Sequence, residues 1–320
     1  MNTISSTFDE KLCSCTVLGS SDVLENAKFP VSVLILNRNS GTFKEHNFEN
    51  LLKCGFESII SMESPKENFK IDSYLKRFPQ IQYVVPSKEI SVGELINLGF
   101  SICYSRYLLV IWDDFVIKPG FFTENVMNKI LEQQALCFAP ALLNSEFQNI
   151  YVKMSPKIER FNFSIAADSL YYDNSNTLFP FDFAGVYDKS KFISVGGFDY
   201  SITSPHWQLL DFSLRSWLWG EKIIASTSYK FYYQGQEPVA DVTIDDSYFR
   251  FFLKNIAINK KIDYAYLPVR TFITFHRNSN YSFGPALSEF RNVRRWVYQN
   301  KYRYKTEIKK LTETWDEDVQ

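Results

Sequence analysis

The chain of 320 residues has only five cysteines, three histidines and four methionines. Cys13 and Cys15 have no second pair at zinc-finger spacing, which excludes a four-ligand zinc module of that kind. Cys54, Cys103 and Cys137 lie in apolar surroundings and read as small core residues. So few cysteines fit a reducing cytosol rather than a disulfide scaffold. No apolar run approaches the roughly 20 residues that span a bilayer. The amino terminus, Met1-Asn-Thr-Ile-Ser-Ser, lacks the basic region and apolar stretch of a signal peptide. We therefore expect a soluble, cytoplasmic protein. Charge of one sign is also missing: the formal net charge of -1 gives no global bias towards nucleic acid or an acidic partner. There is no internal repeat and no low-complexity tract.

Aromatics, by contrast, are plentiful, at 17% with 29 Phe and 19 Tyr. Two accounts stand side by side: partly apolar surfaces or a sugar-stacking cleft, and a coding sequence rich in AT. The length suits one large domain with an appendage, or two domains. Three regions are expected: an extension over 1–28, an α/β domain over 29–240, and an aromatic, basic, mainly helical region over 241–320.

The extension carries a short edge strand at 13–18. Beyond it, strands alternate with helices. Val31-Ser-Val-Leu-Ile-Leu36 reads as a strand ending in Asn37-Arg38-Asn39, and Asn47 to Cys54 as a helix closed by Gly55. Ser58-Ile-Ile-Ser-Met62 is a strand ending at Glu63, a helix follows near 71–77, and another strand covers 81–85. Val92, Leu95, Ile96, Gly99, Phe100 and Cys103 recur at helical spacing, which predicts an amphipathic helix over 91–105. Such alternation argues for βαβ units and a parallel sheet with its strand ends on one edge. A helix over 121–134 and a strand over 137–143 follow, then polar, irregular loop over 144–180. Strand character returns at 181–187. Val195-Gly-Gly-Phe-Asp199 is a turn before a helix that starts with Ser204 as N-cap and Pro205 in the first turn. Asp245-Asp246 follows no apolar strand and reads as loop.

The helix over 91–105 leads into Tyr107-Leu-Leu-Val-Ile-Trp112, apolar enough to be a strand buried on both faces. Asp113 and Asp114 end it. Paired carboxylates at the carboxyl end of such a strand lie where open α/β sheets bind their ligands. Hard divalent cations prefer oxygen ligands and bridge carboxylates to diphosphates. The pair points to a nucleotide-diphosphate substrate.

Four stretches, in order, resemble the family-2 glycosyltransferases, whose fold is GT-A: a Rossmann-like, mostly parallel central sheet flanked by helices. They are Val31-Ser-Val-Leu-Ile-Leu36; Ser58-Ile-Ile-Ser-Met-Glu63; Asn97-Leu-Gly99 through Tyr107-Leu-Leu-Val-Ile-Trp-Asp-Asp114; and Gly196-Gly-Phe-Asp199 with Asp211-Phe-Ser-Leu-Arg215. Here a helical C-terminal extension follows. The resemblance implies an inverting, metal-dependent transfer of a sugar from a nucleotide-diphosphate donor to a glycan or lipid-linked acceptor in polysaccharide, lipopolysaccharide or glycan assembly. It implies Glu63 at the nucleotide base, Asp113 on the ribose or diphosphate side, Asn37 and Asn97 in the nucleotide-sugar site, and Asp114 as ligand to Mn²⁺ or Mg²⁺. Where relatives often carry a third acid, this chain has Phe115.

An inverting transferase also needs a base to take the acceptor proton. The Glu-Asp pair that usually supplies it is replaced by Gln208-Leu209. Two neighbours could serve. Asp211 is retained, although an i,i+4 ion pair with Arg215 explains it equally. His206 lies in the first helical turn, where the macrodipole disfavours imidazolium, so it could accept a proton or merely cap and pack. Trp207 could stack on a sugar or belong to the core.

From Arg291 to Lys310 the sequence carries Arg291, Arg294, Arg295, Lys301, Arg303, Lys305, Lys309 and Lys310 against Glu307, interleaved with Trp296, Tyr298, Tyr302 and Tyr304. This segment could dock peripherally on the inner face of an anionic membrane, or be a solvated helix face. Two rivals to the transferase reading remain. A catalytically inactive GT-A-like nucleotide-sugar-binding or scaffolding protein would explain Gln208-Leu209. A nucleotidyltransferase would need a Gly-rich, basic triphosphate loop near Asn37, and none is there.

Overall fold

The computed structural model describes residues 12–38, 44–66, 70–159 and 162–315. Strand β1 (Cys15–Leu18) is followed by β2 (Phe29–Leu36), helix α1 (Lys44–Leu51), β3 (Phe56–Met62), α2 (Ile71–Arg77), β4 (Gln82–Pro86), α3 (Val92–Ile102) and β5 (Tyr107–Trp112). Every side chain of β5 is buried, as is all of β2 except Pro30, because helices cover both faces of the sheet. Ser91 caps α3 and Glu94 reaches back to the Ser91 amide, 3.0 Å away, in a reciprocal capping box.

The chain continues through β6 (Phe115–Val116), α4 (Glu124–Gln133), β7 (Cys137–Leu143), β8 (Lys153–Glu159), β9 (Asn162–Asp168), β10 (Ser175–Asn176), β11 (Gly185–Asp188), α5 (Lys189–Val195), α6 (Pro205–Leu218) and β12 (Ile223–Tyr233). Ten strands form one sheet in the order β1-β4-β3-β2-β5-β11-β7-β12-β10, with β6 on β12. Six of them (β2 to β5, β7 and β12) point the same way. The fold is thus a mixed α/β one with a mostly parallel central sheet, as the alternating pattern predicts.

Two departures matter. β11 runs antiparallel to both β5 and β7. β7 ends at the carboxyl edge of the sheet, and the excursion after it returns to that edge before β11 begins, so β11 must run back. Within the stretch expected to be irregular, β8 and β9 form a hairpin in which Met154 faces Ala167, Pro156 faces Ile165 and Ile158 faces Phe163.

After β12 come α7 (Asp246–Phe251), which runs on as a π-helical turn (Phe252–Ile256), a small hairpin of β13 (Asn259–Lys260) and β14 (Ala265–Tyr266), and helices α8 (Thr271–Asn278), α9 (Phe283–Asn300) and α10 (Ile308–Thr314). Asp245, expected in a loop, caps α7 by accepting from the Tyr248 amide at 3.0 Å. The helices clamp onto α6. Trp219 stacks with Trp296 at 5.9 Å between ring centroids, and Trp217 meets Trp315 at 4.7 Å. Two aromatics of the basic segment, Trp296 and Tyr304, therefore pack inward, while Tyr298 and Tyr302 are exposed. No described helix is long and apolar enough to cross a membrane.

Candidate active site

Register decides what meets at the carboxyl edge. Leu36 pairs with Trp112, so Asn37-Arg38 and Asp113-Asp114 leave the sheet side by side. Gly185 pairs with Val110 on the other side of β5, which brings Asp182, just before β11, to the same edge. Tyr233 pairs with Phe115 and places its ring there too.

Asp113 is buried and committed to the backbone: its amide donates to Leu36 O at 2.9 Å and its Oδ1 accepts from the Arg38 amide at 2.8 Å. Asn47 of α1 fixes the same turn by donating to the carbonyls of Asp113 (3.2 Å) and Phe115 (2.8 Å). Asn37 donates from Nδ2 to Met62 O, and its Oδ1 is buried without a partner. Asp114 has one oxygen, Oδ2, 3.4 Å from Arg38 Nη1, and a second, Oδ1, buried without a partner. Burial pushes the Asp114 carboxyl above the usual carboxylate range, and the nearby Asp182 and Asp113 carboxylates add to this against the pull of Arg38.

Arg38, Asp182 and Tyr233 complete the cluster. The Arg38 guanidinium lies over the Trp112 ring, 3.7 Å from its centroid. It forks onto Asp182, with Nη1 donating to Oδ2 at 2.8 Å and Nη2 to Oδ1. Tyr233 Oη donates to Asp182 Oδ2 at 2.7 Å, and the Trp112 indole donates to the Asp182 carbonyl at 2.8 Å. Burial raises the Asp182 carboxyl too, opposed by the Arg38 and Tyr233 hydrogen bonds. Asp182 (φ 55°) and Phe183 (φ 62°) both adopt left-handed backbone without being glycine. None of the three side chains stands in a sequence motif. Asp182 lies between two phenylalanines, in a stretch that reads as strand.

Glu63 sits at the end of the neighbouring strand and is held by Lys44 Nζ, 2.6 Å from Oε1, and by the Ser61 hydroxyl at 2.7 Å.

The remaining expected site residues lie in the helix layer. Asn97 on α3 exchanges two hydrogen bonds with the Phe198 backbone, each 2.9 Å, and so ties α3 to the Gly-Gly-Phe-Asp turn. That turn needs its glycines, since Gly196 and Gly197 have φ of 88° and 62°. Gln208 is wholly buried: it accepts from the Gly93 amide at 2.8 Å and donates to Ser91 Oγ at 2.9 Å and Asp199 O at 3.1 Å. Asp211 is 0% exposed and bound by Lys254 Nζ (2.8 Å), Asn255 Nδ2 (2.8 Å) and Arg215 Nη2 (3.3 Å). Both of its oxygens are thus engaged by side chains. His206 stands at the start of α6 with its ring against Trp207. Burial lowers its pKa, although Asp241 pulls the other way. Trp207 belongs to the core, packed on Phe251 with its indole donating to Thr243 O at 2.7 Å. A cavity of about 420 Å³ also lies in this layer, bordered by Asn97, Asp199, Arg215, Lys254 and Trp296; none of its lining residues belongs to the strand-end cluster.

Among the described residues, no group of three or more His, Cys, Asp or Glu side chains is arranged to hold a metal ion. One observation still suits a hard cation: the unpartnered, buried Oδ1 of Asp114. One protein carboxylate can suffice where water and diphosphate oxygens supply the rest.

No protein-family model and no curated protein matches the sequence. Solved structures do. A crystal structure of GalNAc-T7 with UDP, GalNAc and Mn²⁺ superposes with a TM-score of 0.54 at 11% identity, covering 72% of this chain and 48% of that one. A crystal structure of S. aureus TarS 1–349 gives a TM-score of 0.49 at 12% identity, covering 82% and 71%. This chain therefore spans about half the length of the GalNAc-T7 chain. At 11% identity the likeness to the first speaks for architecture alone: a mixed α/β fold with a mostly parallel central sheet that resembles the GT-A glycosyltransferases.

Proposed function

We propose that this chain is an inverting glycosyltransferase that takes a sugar from a nucleoside-diphosphate donor at the carboxyl edge of the sheet. The observation that carries this reading is the pairing of Asp114, with one oxygen unpartnered, and Arg38, a stacked guanidinium 3.4 Å from its other oxygen. A leaving nucleoside diphosphate gains negative charge as the glycosidic bond breaks. Fixed positive charge beside it stabilises the transition state more than the ground state. Asp114 would hold Mn²⁺ or Mg²⁺, and the ion would supply further positive charge at the diphosphate. Asp113 shapes the loop through the Arg38 amide, and Asn37, with its unpartnered Oδ1, borders the nucleotide. Glu63 reaches the base only where the Lys44 pair lets it turn outward, and Asn97 acts from behind by fixing the Gly-Gly-Phe-Asp turn. The solved GalNAc-T7 structure holds UDP and Mn²⁺ on the same fold, which supports this donor class and cation.

The acceptor in this reading is a glycan or a lipid-linked sugar. Exposed Tyr298 and Tyr302 flanking Lys301 give α9 and its end a surface suited to peripheral contact with an anionic cytoplasmic leaflet. The second reading, a nucleotide-sugar-binding scaffold, is favoured by Gln208, which stands neutral and fully engaged where the resemblance to family-2 glycosyltransferases implies an acid. A thermal-shift panel of UDP-, GDP-, CDP- and dTDP-sugars with Mn²⁺, Mg²⁺ or EDTA tests the donor site. A rise for one nucleotide, lost with EDTA and in Asp114→Ala, is the expected result. Binding without turnover against any acceptor would leave the scaffold, and no shift at all would remove the donor site.

A further inference from the structure

We infer that Asp182 is the base that takes the acceptor proton, and that Arg38 masks it until a nucleoside diphosphate draws the guanidinium away. The inference rests on the transferase reading above. On α6 the Gln208 amide is neutral and bound on both sides, and it can take no proton. Meanwhile Asp182 is a buried carboxylate at the strand edge that the donor reading does not use. Two successive non-glycine residues there, Asp182 and Phe183, hold left-handed backbone. Such conformations are strained and persist where the surroundings over-determine them. The Trp112 indole on the Asp182 carbonyl, at 2.8 Å, is one such constraint.

The three edge carboxylates differ in how they are held. Asp113 is tied to a backbone amide and cannot be released without moving the loop. Asp114 has the unpartnered oxygen that suits a cation. The Asp182 carboxylate is held by side chains, Arg38 and Tyr233. Arg38 in turn is held in plane by Trp112 rather than by Asp182 alone, so it can exchange one planar acceptor for another without losing its stacking. A diphosphate offers the same forked oxygen geometry as a carboxylate, with more charge. Once Arg38 turns to it, Asp182 keeps the Tyr233 hydroxyl 2.7 Å away as its orienting partner and gains a free oxygen.

In the step, the acceptor hydroxyl gives its proton to the Asp182 carboxylate while its oxygen bonds to the anomeric carbon. The bond from that carbon to the diphosphate oxygen breaks, its electron pair leaves with the nucleoside diphosphate, and Arg38 meets the new charge. The proton passes to water as Arg38 returns to Asp182 after product release.

The test is calorimetric titration of UDP, GDP, CDP and dTDP into wild type, Asp182→Asn, Arg38→Gln and the double variant, with turnover followed as diphosphate release from the matching sugar nucleotide. Asn tolerates left-handed backbone, so Asp182→Asn keeps the local fold, and a matching denaturation midpoint verifies this. Removing the competing carboxylate should tighten binding by about 10-fold. Turnover in the same variant should fall by about 100-fold or more. Arg38→Gln should weaken binding, and the double variant should bind no tighter than Arg38→Gln. Opposite movement of affinity and turnover in Asp182→Asn is the signature. Unchanged or weakened binding in that variant, or turnover at the wild-type rate, overturns the inference and leaves the transferase reading standing. Failure of the wild type to bind any of the four nucleotides overturns both.

Discussion

Lys44 Nζ lies 2.6 Å from Glu63 Oε1, and the two side chains are each only 6% exposed. The pair joins the first turn of α1 to the end of β3 at the carboxyl edge of the sheet. Removing one partner of a buried pair strands the other charge, which typically costs about 3–5 kcal/mol. Lys44→Met should therefore lower the free energy of unfolding by that order, and Lys44→Met with Glu63→Gln should recover much of the loss. A double variant no more stable than the single would mean that Lys44 acts through packing on Phe48 and Tyr74 instead.

Asp114 should trade stability for binding. Its ionised form is disfavoured in the folded state by burial, with Asp182 and Asp113 adding to the effect. An acid whose folded pKa is raised makes folding less favourable as pH rises through the range between its unfolded and folded values. Below the unfolded value, about 3.9, it contributes nothing. Asp114→Asn should remove that decline, visible as a flatter stability profile as pH rises above about 4, while abolishing cation-dependent nucleotide binding. A wild-type profile of the same slope would contradict it.

Gln208 cannot be converted into a base by restoring an acid. Its Nε2 donates to Ser91 Oγ and to the Asp199 carbonyl. Glu at this position would set a buried carboxylate against a carbonyl oxygen. Gln208→Glu should cost about 2–4 kcal/mol in urea denaturation and add no turnover. A gain in turnover would return the base to α6.

Asp173 pins the bulge of β12. It accepts from Ser226 Oγ at 2.5 Å, Ser228 Oγ at 2.9 Å and the Thr227 amide at 2.8 Å, and pairs with Lys129 at 2.5 Å. Burial would raise its carboxyl, but these donors outweigh that and hold it well below the usual range. The stability it lends is present above its unfolded pKa and is lost as pH falls through the folded one. Water reaches the pair, so Asp173→Ala should cost only about 1–2 kcal/mol at neutral pH. The difference from wild type should shrink in acid. A constant difference down to pH 2 would assign the effect to packing.

How much of this was legible in the sequence depends on whether the cause was local. β2, β5 and the acidic pair announce themselves because burial on both faces demands an unbroken apolar run. The spacing of Val92, Ile96 and Gly99 gives α3 for the same kind of reason. The Asp211–Arg215 pair, 3.3 Å apart, was readable as an i,i+4 contact. What that spacing could not disclose is that Lys254 and Asn255, more than forty positions later, close the same carboxylate from the other side. The β8–β9 hairpin was readable in principle, as Met154, Pro156 and Ile158 alternate with polar residues, but the polar positions dominate the composition. Asp182 was not readable: its left-handed backbone is imposed by tertiary contacts, and nothing in Phe181-Asp-Phe183 calls for it.

Lys254, 1% exposed, binds Asp199 and Asp211 at 2.8 Å each. One residue that follows β12 thus bridges two acids that precede it, Asp199 in the Gly-Gly-Phe-Asp turn and Asp211 on α6, with Arg250 as a second cation on Asp199 and Arg215 on Asp211. Without Arg250 and Lys254, Asp211 would keep only Arg215, and Asp199 would lose both cations. The two regions are accordingly not interchangeable parts. A segment taken from another protein could replace the one that follows β12 only if it brought cations to the same places, and a charge change at Lys254, Asp199 or Asp211 should be tolerated only with a compensating change at another of them.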